Sequence, residues 1–145
     1  MTVKLYFEDV NVGDKLPEWS RTTTFMHWNR YAAVNDEFMP FHMDDEEGRK
    51  AGNSEGAFGM GNLRFAYMLN ALRDWIGDEV DVRELGCQFR VINQKGDTLT
   101  VIGLVVEKLV ADGESQVRIE INVVNQKGES TCPGHALVAL PVRAP

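Results

Sequence analysis

The second half of the sequence consists of extended segments separated by short turn signals. Candidate strands cover residues 82–92, 98–111, 114–124 and 129–140. The tetrapeptide NQKG separates them at 93–96 and again at 125–128, and Asp112-Gly113 is a typical hairpin turn between the second and third. Apolar residues alternate with polar ones at Val117, Ile119, Ile121 and Val123, which predicts a strand with one buried face. The pattern predicts a four-stranded antiparallel meander.

The longest helical pattern lies before these strands, at residues 62–76. Apolar residues recur there at spacings of three and four, over so wide a face that the helix is predicted to be heavily buried. Gly77 is expected to end it. With an early strand at 19–25 and a short helix at 26–34, the fold class is α+β, an antiparallel sheet wrapped around one long central helix. The open edge of such a sheet can be covered by a second copy.

The bulk properties favour one globular domain spanning residues 1–145. A net charge of −7 and the lack of a basic stripe argue against nucleic-acid binding. We read no secretion signal and no membrane-spanning run, so we expect a cytoplasmic protein without a membrane partner. Cys87 and Cys132 lack metal-ligand spacing, so we expect free thiols and no metal site.

Residues 35–44, with the sequence NDEFMPFHMD, carry the first candidate chemistry. Asp36 and Glu37 precede His42 by six and five residues, and Pro40 bends the chain between them. A carboxylate and an imidazole that converge can move protons in both directions near neutral pH. Taken alone, the pattern more often reflects solvated acids and a structural histidine. Asp44 is expected to cap a helix that runs to Ala51 and stops at Gly52, with Glu47 as its capping-box partner.

The glycine-rich segment 56–61, GAFGMG, leads into the long helix. Glycines allow close approach of a ligand to the backbone, and the first amides of a helix can stabilise an oxyanion. The alternative is a flexible loop whose glycines serve helix packing, and it is the better interpretation of this segment by itself.

Together these segments resemble the MaoC-like hydratases. Their motif, Gly-Asp-Phe-Asn-Pro-Ile-His-x-Asp, aligns without gaps with residues 36–44, where Phe38, Pro40, His42 and Asp44 match. Residues 57–63 are similar to the loop that enters the family's helix, and residues 7–14 to its N-terminal stretch. The order of elements corresponds over about residues 6–140.

The resemblance implies a hot-dog fold and hydration of a 2-enoyl-CoA thioester, or the reverse dehydration, in fatty acid or steroid metabolism. His42 takes the histidine role and Glu37 the acid role, with Asp36 as the acid if the loop is shifted by one residue. The backbone amide of Gly61 takes the role of binding the thioester oxygen. The family implies coenzyme A as the substrate carrier, no metal or redox cofactor, and a homodimer or larger homo-oligomer. A hetero-subunit is also compatible with it.

The sequence departs from the motif at three positions. Glu37 replaces an aspartate, Met39 an asparagine, and Met60 a residue that is often histidine. Glu37 and Met39 keep open a non-catalytic hot-dog subunit as an alternative function. A hot-dog thioesterase, which also uses a carboxylate and a helix N-terminus, is the enzymatic alternative, although the pattern of Pro40, His42 and Asp44 favours the hydratases. Five apolar residues are expected to line an acyl pocket, with packing in the core as an alternative of equal weight: Met39, Met60, Phe38, Phe41 and Phe58. Scattered cations near the site are candidates for the coenzyme A phosphates, but none is assigned: Arg49, Lys50, Arg64, Arg90 and Lys95.

Overall fold

The structure is a computed structural model that describes residues 5–78 and 81–144. Its helices, beyond one turn of 3-10 helix at Phe7–Asp9, are α1 (Phe25–Asn35), α2 (Pro40–Met43), α3 (Asp45–Lys50) and α4 (Gly61–Ile76). Its strands are β1 (Trp19–Thr22), β2 (Phe58–Gly59), β3 (Asp81–Cys87), β4 (Asn93–Gln94), β5 (Thr98–Ala111), β6 (Glu114–Val124) and β7 (Ser130–Ala139).

Five strands form one antiparallel sheet in the order β1-β5-β6-β7-β3. The strands β5, β6 and β7 form the expected meander, but the prediction of a four-stranded meander is wrong. β3 pairs with β7, with Leu85 opposite Ala136, and so is separated from β5 by two strands, β6 and β7. It also ends at Cys87, because the following residues leave the regular ladder and β4 pairs instead with β2. A meander requires that consecutive strands are neighbours. Between β3 and β5 the chain instead leaves the five-stranded sheet and forms β4, which pairs with β2.

The early strand joins the sheet as expected, but it is shorter than predicted. β1 pairs with β5, with Trp19 opposite Val101, and stops at Thr22. Thr24 then caps α1, where its backbone amide donates to Nδ1 of His27 at 3.3 Å. The first turn of α1 therefore takes Phe25, which the sequence pattern assigned to the strand.

The core lies between the curled sheet and α4. The four alternating residues of β6 are at most 2% exposed, which confirms the predicted buried face. α4 contributes Leu63, Tyr67, Met68 and Leu72 to the same core, and it ends at Gly77 (φ 117°), as predicted. At the β5–β6 hairpin Asp112 and Gly113 both have positive φ, as a tight two-residue hairpin turn requires.

Within the described ranges, no helix has both the length and the apolar character to cross a membrane. Both cysteines are free thiols, and burial is the main reason why the pKa of Cys132 is raised to about 12. The same part of the chain contains no cluster of three or more His, Cys, Asp or Glu side chains that could hold a metal ion.

Candidate active site

The two acidic residues ahead of His42 have different environments. Asp36 ends α1 in the left-handed conformation (φ 53°), and its side chain is exposed. Glu37 follows with its backbone amide bonded to the carbonyl of Ala32 at 3.1 Å, and it is partly buried. The two carboxylates therefore do not share one environment.

Glu37 lies beside the start of α4. Its Oε2 accepts a hydrogen bond of 3.2 Å from Nδ2 of Asn62, the second residue of that helix. Gly61 precedes Asn62 as the first residue, so its backbone amide has no acceptor inside the helix. A Cβ at Gly61 would lie 2.6 Å from the Phe89 ring, so a side chain there would require that ring to move. The structure therefore brings Glu37 next to the helix start to which the resemblance assigned the thioester oxygen.

His42 is held by a single-turn helix that Pro40 begins, a position where the missing amide donor of proline is harmless. The imidazole is 6% exposed and packs edge-on against the Phe41 and Phe58 rings. Its Nδ1 donates to the backbone carbonyl of Phe58 at 2.6 Å. Because a carbonyl only accepts, Nδ1 carries the proton, and Nε2 of the neutral ring keeps its lone pair.

Burial lowers the pKa of His42, against the opposing influences of the Phe58 carbonyl and the negative charge of Glu37. The neutral ring therefore predominates at neutral pH. A neutral imidazole with one nitrogen fixed as donor offers the other as a proton acceptor, the form that a general base needs.

The Phe58 carbonyl is positioned by an interlock between the glycine-rich loop and the first NQKG turn. Asn53 and Gln94 exchange two side-chain hydrogen bonds of 2.8 Å each, and Asn53 also donates to the Gly56 carbonyl at 2.7 Å. Asp45 accepts from the backbone amide of Ala57 at 3.0 Å and from Nζ of Lys95 at 2.6 Å. The loop just before Phe58 is thus tied both to α3 and to β4.

A close backbone approach brings α3 onto the same loop. A Cβ at Gly48 would lie 2.2 Å from the Gly56 carbonyl oxygen, so no larger residue fits without moving the loop. Asp44 caps α3 as predicted, accepting from the amides of Glu46 and Glu47 at 2.8 and 3.0 Å. The prediction of Glu47 as a capping-box partner is wrong, because its carboxylate instead accepts from Nζ of Lys50 at 2.7 Å.

The predicted site residues fall into two groups. Glu37, His42, Phe58 and Gly61 lie around the start of α4 and the loop before it. The side chains of the others do not join them: Asp36 faces solvent, Met39 is 45% exposed, and the side chain of Met60, although it directly precedes Gly61, is fully buried in the core.

This distribution does not support one apolar pocket shared by the five expected residues. Phe38 is 58% exposed, whereas Phe41 and Phe58 stack on each other with ring centroids 5.4 Å apart. Core packing, the alternative to the pocket, accounts for Met60.

Most of the cations near the site are engaged within the chain. Lys50 pairs with Glu46 and Glu47, and Lys95 with Asp45. Arg64 is buried and donates to the carbonyls of Val91 at 2.6 Å and Thr131 at 3.1 Å, with its guanidinium over the Phe89 ring. Arg90 donates to the side-chain oxygen of Gln88.

Comparison with known proteins identifies the fold. No protein-family model and no curated protein matches the sequence significantly. Among solved structures, the R-hydratase PhaJ1 from Pseudomonas aeruginosa superimposes with a TM-score of 0.85 at 24% identity, over 97% of this chain and 88% of that one. A MaoC-like dehydratase from Rhodospirillum rubrum gives 0.80 at 22% identity, over 97% and 99% of the two chains. The fold is the hot-dog fold of MaoC-like dehydratases and (R)-hydratases.

A third solved structure with this fold is a complex of two named proteins. The ChsH1–ChsH2 complex from Mycobacterium tuberculosis matches with a TM-score of 0.78 at 20% identity, over 90% of this chain and 98% of that one. The predicted hot-dog fold is therefore confirmed.

Sequence reasoning missed several partners of the site. The helical pattern that contains Asn62 gives no sign of its contact with Glu37, and the Asn53–Gln94 interlock joins residues 41 positions apart. The carbonyl that orients His42 carries no sequence signal at all, since every residue has one. The only sign of a partner for Glu37 in the sequence is that a polar residue, Asn62, directly follows Gly61.

Proposed function

We propose that this protein hydrates a 2-enoyl-CoA thioester to a 3-hydroxyacyl-CoA, or catalyses the reverse dehydration. The observation that carries the proposal is the buried neutral imidazole of His42, fixed through Nδ1 and close enough to Glu37 to respond to its charge. A solvated acid and a packing histidine would not require this pairing beside the start of a helix.

In the hydration direction, the Glu37–His42 pair holds a water molecule and takes one of its protons. The water oxygen forms a bond to C3 of the enoyl group while the double bond shifts toward the thioester carbonyl. The pair then returns the proton to C2, so that one water is added and the pair ends in its starting state. Nε2 of His42 is the acceptor in this step, because Nδ1 is committed to the Phe58 carbonyl.

The backbone amide of Gly61 stabilises the negative charge that develops on the thioester oxygen. That charge exists only in the transition state, so a donor aimed at it raises the rate and not merely the affinity. The positive end of α4 adds to the effect.

We further propose that the protein works as a homodimer or larger oligomer. β1 and β3 are the two edge strands of the sheet, and an edge presents unpaired backbone groups that a second copy can cover. A monomer mass at micromolar concentration by light scattering would contradict this. The ChsH1–ChsH2 structure makes a hetero-subunit the other arrangement to look for.

The test is turnover of short, long and cyclic trans-2-enoyl-CoA thioesters, followed by enoyl absorbance and by free thiol together. Loss of absorbance without thiol release supports the hydratase, whereas thiol release moves the assignment to a thioesterase. A protein that changes none of the substrates fits the non-catalytic subunit.

Three variants separate the site residues. His42→Ala and Glu37→Gln are expected to lower kcat by about a hundredfold or more, the usual contribution of a positioned acid or base. Asp36→Asn is the matched control, a neighbouring acid that faces solvent, and it should keep the wild-type rate. Unchanged far-ultraviolet circular dichroism would show that the variants fold. Full activity in His42→Ala would overturn the proposed site.

A further inference from the structure

A shallow cavity that is open to solvent lies next to the proposed active site, between α1, β1 and α4. Its volume is about 270 Å³. Arg21, His27 and Arg30 contribute cationic or ionisable groups to its lining, and Trp19, Tyr31 and Tyr67 contribute aromatic surface.

The lining is positively charged although the chain as a whole carries a net charge of −7. None of the lining residues is acidic. Neither Arg21 nor Arg30 forms an ion pair with any residue of the described ranges. The Arg21 guanidinium lies over the Trp19 ring, 5.2 Å from its centroid. Two unpaired guanidinium groups around one cavity favour an anionic ligand.

Tyr67 supplies an independent indication. The residue is 5% exposed, and its hydroxyl has no hydrogen-bond partner in the described part of the chain. Burial raises the pKa of this phenol, against the opposing charge of Arg21. A buried hydroxyl without a partner is unfavourable, and an acceptor would satisfy it. The oxygen is closed to solvent in this structure, so a ligand in the cavity reaches it only when the side chains that cover it move.

The cavity adjoins the proposed reacting groups. Tyr31 lines the cavity, and its pKa is raised mainly by burial and to a lesser extent by the negative charge of Glu37. Glu37 therefore lies close to the cavity. Leu63, also in the lining, is two residues after Gly61. Tyr67 is six residues after Gly61, about 9 Å along a helix. The phosphates of coenzyme A are separated from the thioester by the whole pantetheine arm, so cations that share a cavity with Leu63 and Tyr67 favour a charge on the acyl group.

We propose that this cavity binds a carboxylate at the far end of the acyl group, so that the substrate is the 2-enoyl-CoA thioester of a dicarboxylic acid. The inference rests on the proposed hydratase function and names its substrate class. Arg21 and Arg30 bind the carboxylate, and the Tyr67 hydroxyl donates to it. Trp19 and Leu63 contact the intervening methylene groups.

The test compares acids with their neutral esters. The probes are 2-enoyl-CoA thioesters of the dicarboxylic acids from glutaric to suberic length, each beside its terminal methyl ester. The readout is the ratio of kcat/KM for acid and ester, measured for the wild type, Arg21→Gln and Tyr67→Phe. Arg73→Gln is the matched control, an arginine of α4 that pairs with Asp78 outside the cavity.

We expect the wild type to favour the acid at one chain length and Arg21→Gln to lower the acid-to-ester ratio about tenfold, the usual effect of one charge-assisted hydrogen bond. Arg73→Gln should keep the wild-type ratio. Turnover of esters without any preference for acids would overturn this inference and leave the hydratase standing. The inference would also be overturned if Arg21→Gln lowered kcat/KM equally for acid and ester and weakened the binding of free coenzyme A by the same factor. The arginines would then bind the coenzyme phosphates.

If no thioester is turned over, the proposed hydratase function fails, and binding decides the inference separately. Calorimetry with the saturated dicarboxylic acyl-CoA and its ester then measures the same ratio as a ratio of Kd values. A tenfold preference that Arg21→Gln removes supports the carboxylate site, and equal Kd values refute it.

Discussion

The interlock of Asn53 and Gln94 gives the sharpest energetic prediction. The two side chains exchange two hydrogen bonds of 2.8 Å, and Asn53 is only 5% exposed, so water cannot readily replace its partners. Asn53→Ala removes three hydrogen bonds and leaves the Gly56 carbonyl without this donor. At a net 0.5–1.5 kcal/mol per bond, plus the desolvation of an unpaired group, the free energy of unfolding should fall by about 2–4 kcal/mol.

A double-mutant cycle isolates the pair itself. Gln94→Ala alone removes the two exchanged bonds, and the double variant should lose less than the sum of the single variants by about 1–2 kcal/mol. Urea denaturation measures all four proteins, with an unchanged slope as the check on two-state behaviour. Gln88→Ala is the surface control, because Gln88 is an exposed glutamine that precedes β4. Its free energy of unfolding should stay within about 0.5 kcal/mol of the wild-type value. A coupling energy below about 0.5 kcal/mol would refute the claim that this pair holds the loop.

Three further predictions follow from single positions. Gly48→Ala should lower the free energy of unfolding by about 1–3 kcal/mol in urea denaturation, because the new methyl group meets the backbone of Gly56; wild-type stability would contradict that contact. Because burial lowers the pKa of His42, stability should be greatest above its unfolded pKa, about 6.5, and decline as the pH falls through that value toward the lower folded pKa. Urea denaturation between about pH 5 and 8 should show a smaller decline in His42→Gln, and an identical pH profile would contradict the account. Tyr67→Phe should leave thermal stability unchanged or raise it by about 1 kcal/mol, since it removes a buried hydroxyl that has no partner; a marked loss would show that the hydroxyl is bonded within the fold.

The parts of the fold that could be predicted are those encoded by local periodicity. β6 alternates strictly because one face is buried, and α4 repeats at three and four because it packs into the sheet. Partner choice between strands is not local. β3 pairs with β7 through contacts about 50 residues apart in sequence, and no pattern within β3 itself specifies that neighbour.

The candidate site was predictable only where side-chain chemistry and a known motif coincide. His42 and Glu37 could be named in advance because their residue types and spacing carry the resemblance. The carbonyl that orients His42 and the cationic cavity could not, because they depend on how distant segments meet. Arg21, Arg30 and Tyr67 are separated by up to 46 positions and converge only in the folded chain. Met60 illustrates the reverse case, a motif position whose side chain serves the core.

The central claim is tested most directly by the product that the purified protein forms from a trans-2-enoyl-CoA thioester in D₂O. Mass spectrometry and nuclear magnetic resonance of the product should show the addition of one water, with a hydroxyl at C3, one deuteron at C2 and the thioester intact. Formation of this product by the wild type, and its loss in Glu37→Gln but not in Asp36→Asn, is the result that the account predicts. Unchanged enoyl thioester, or free coenzyme A in place of the hydroxyacyl product, would contradict it.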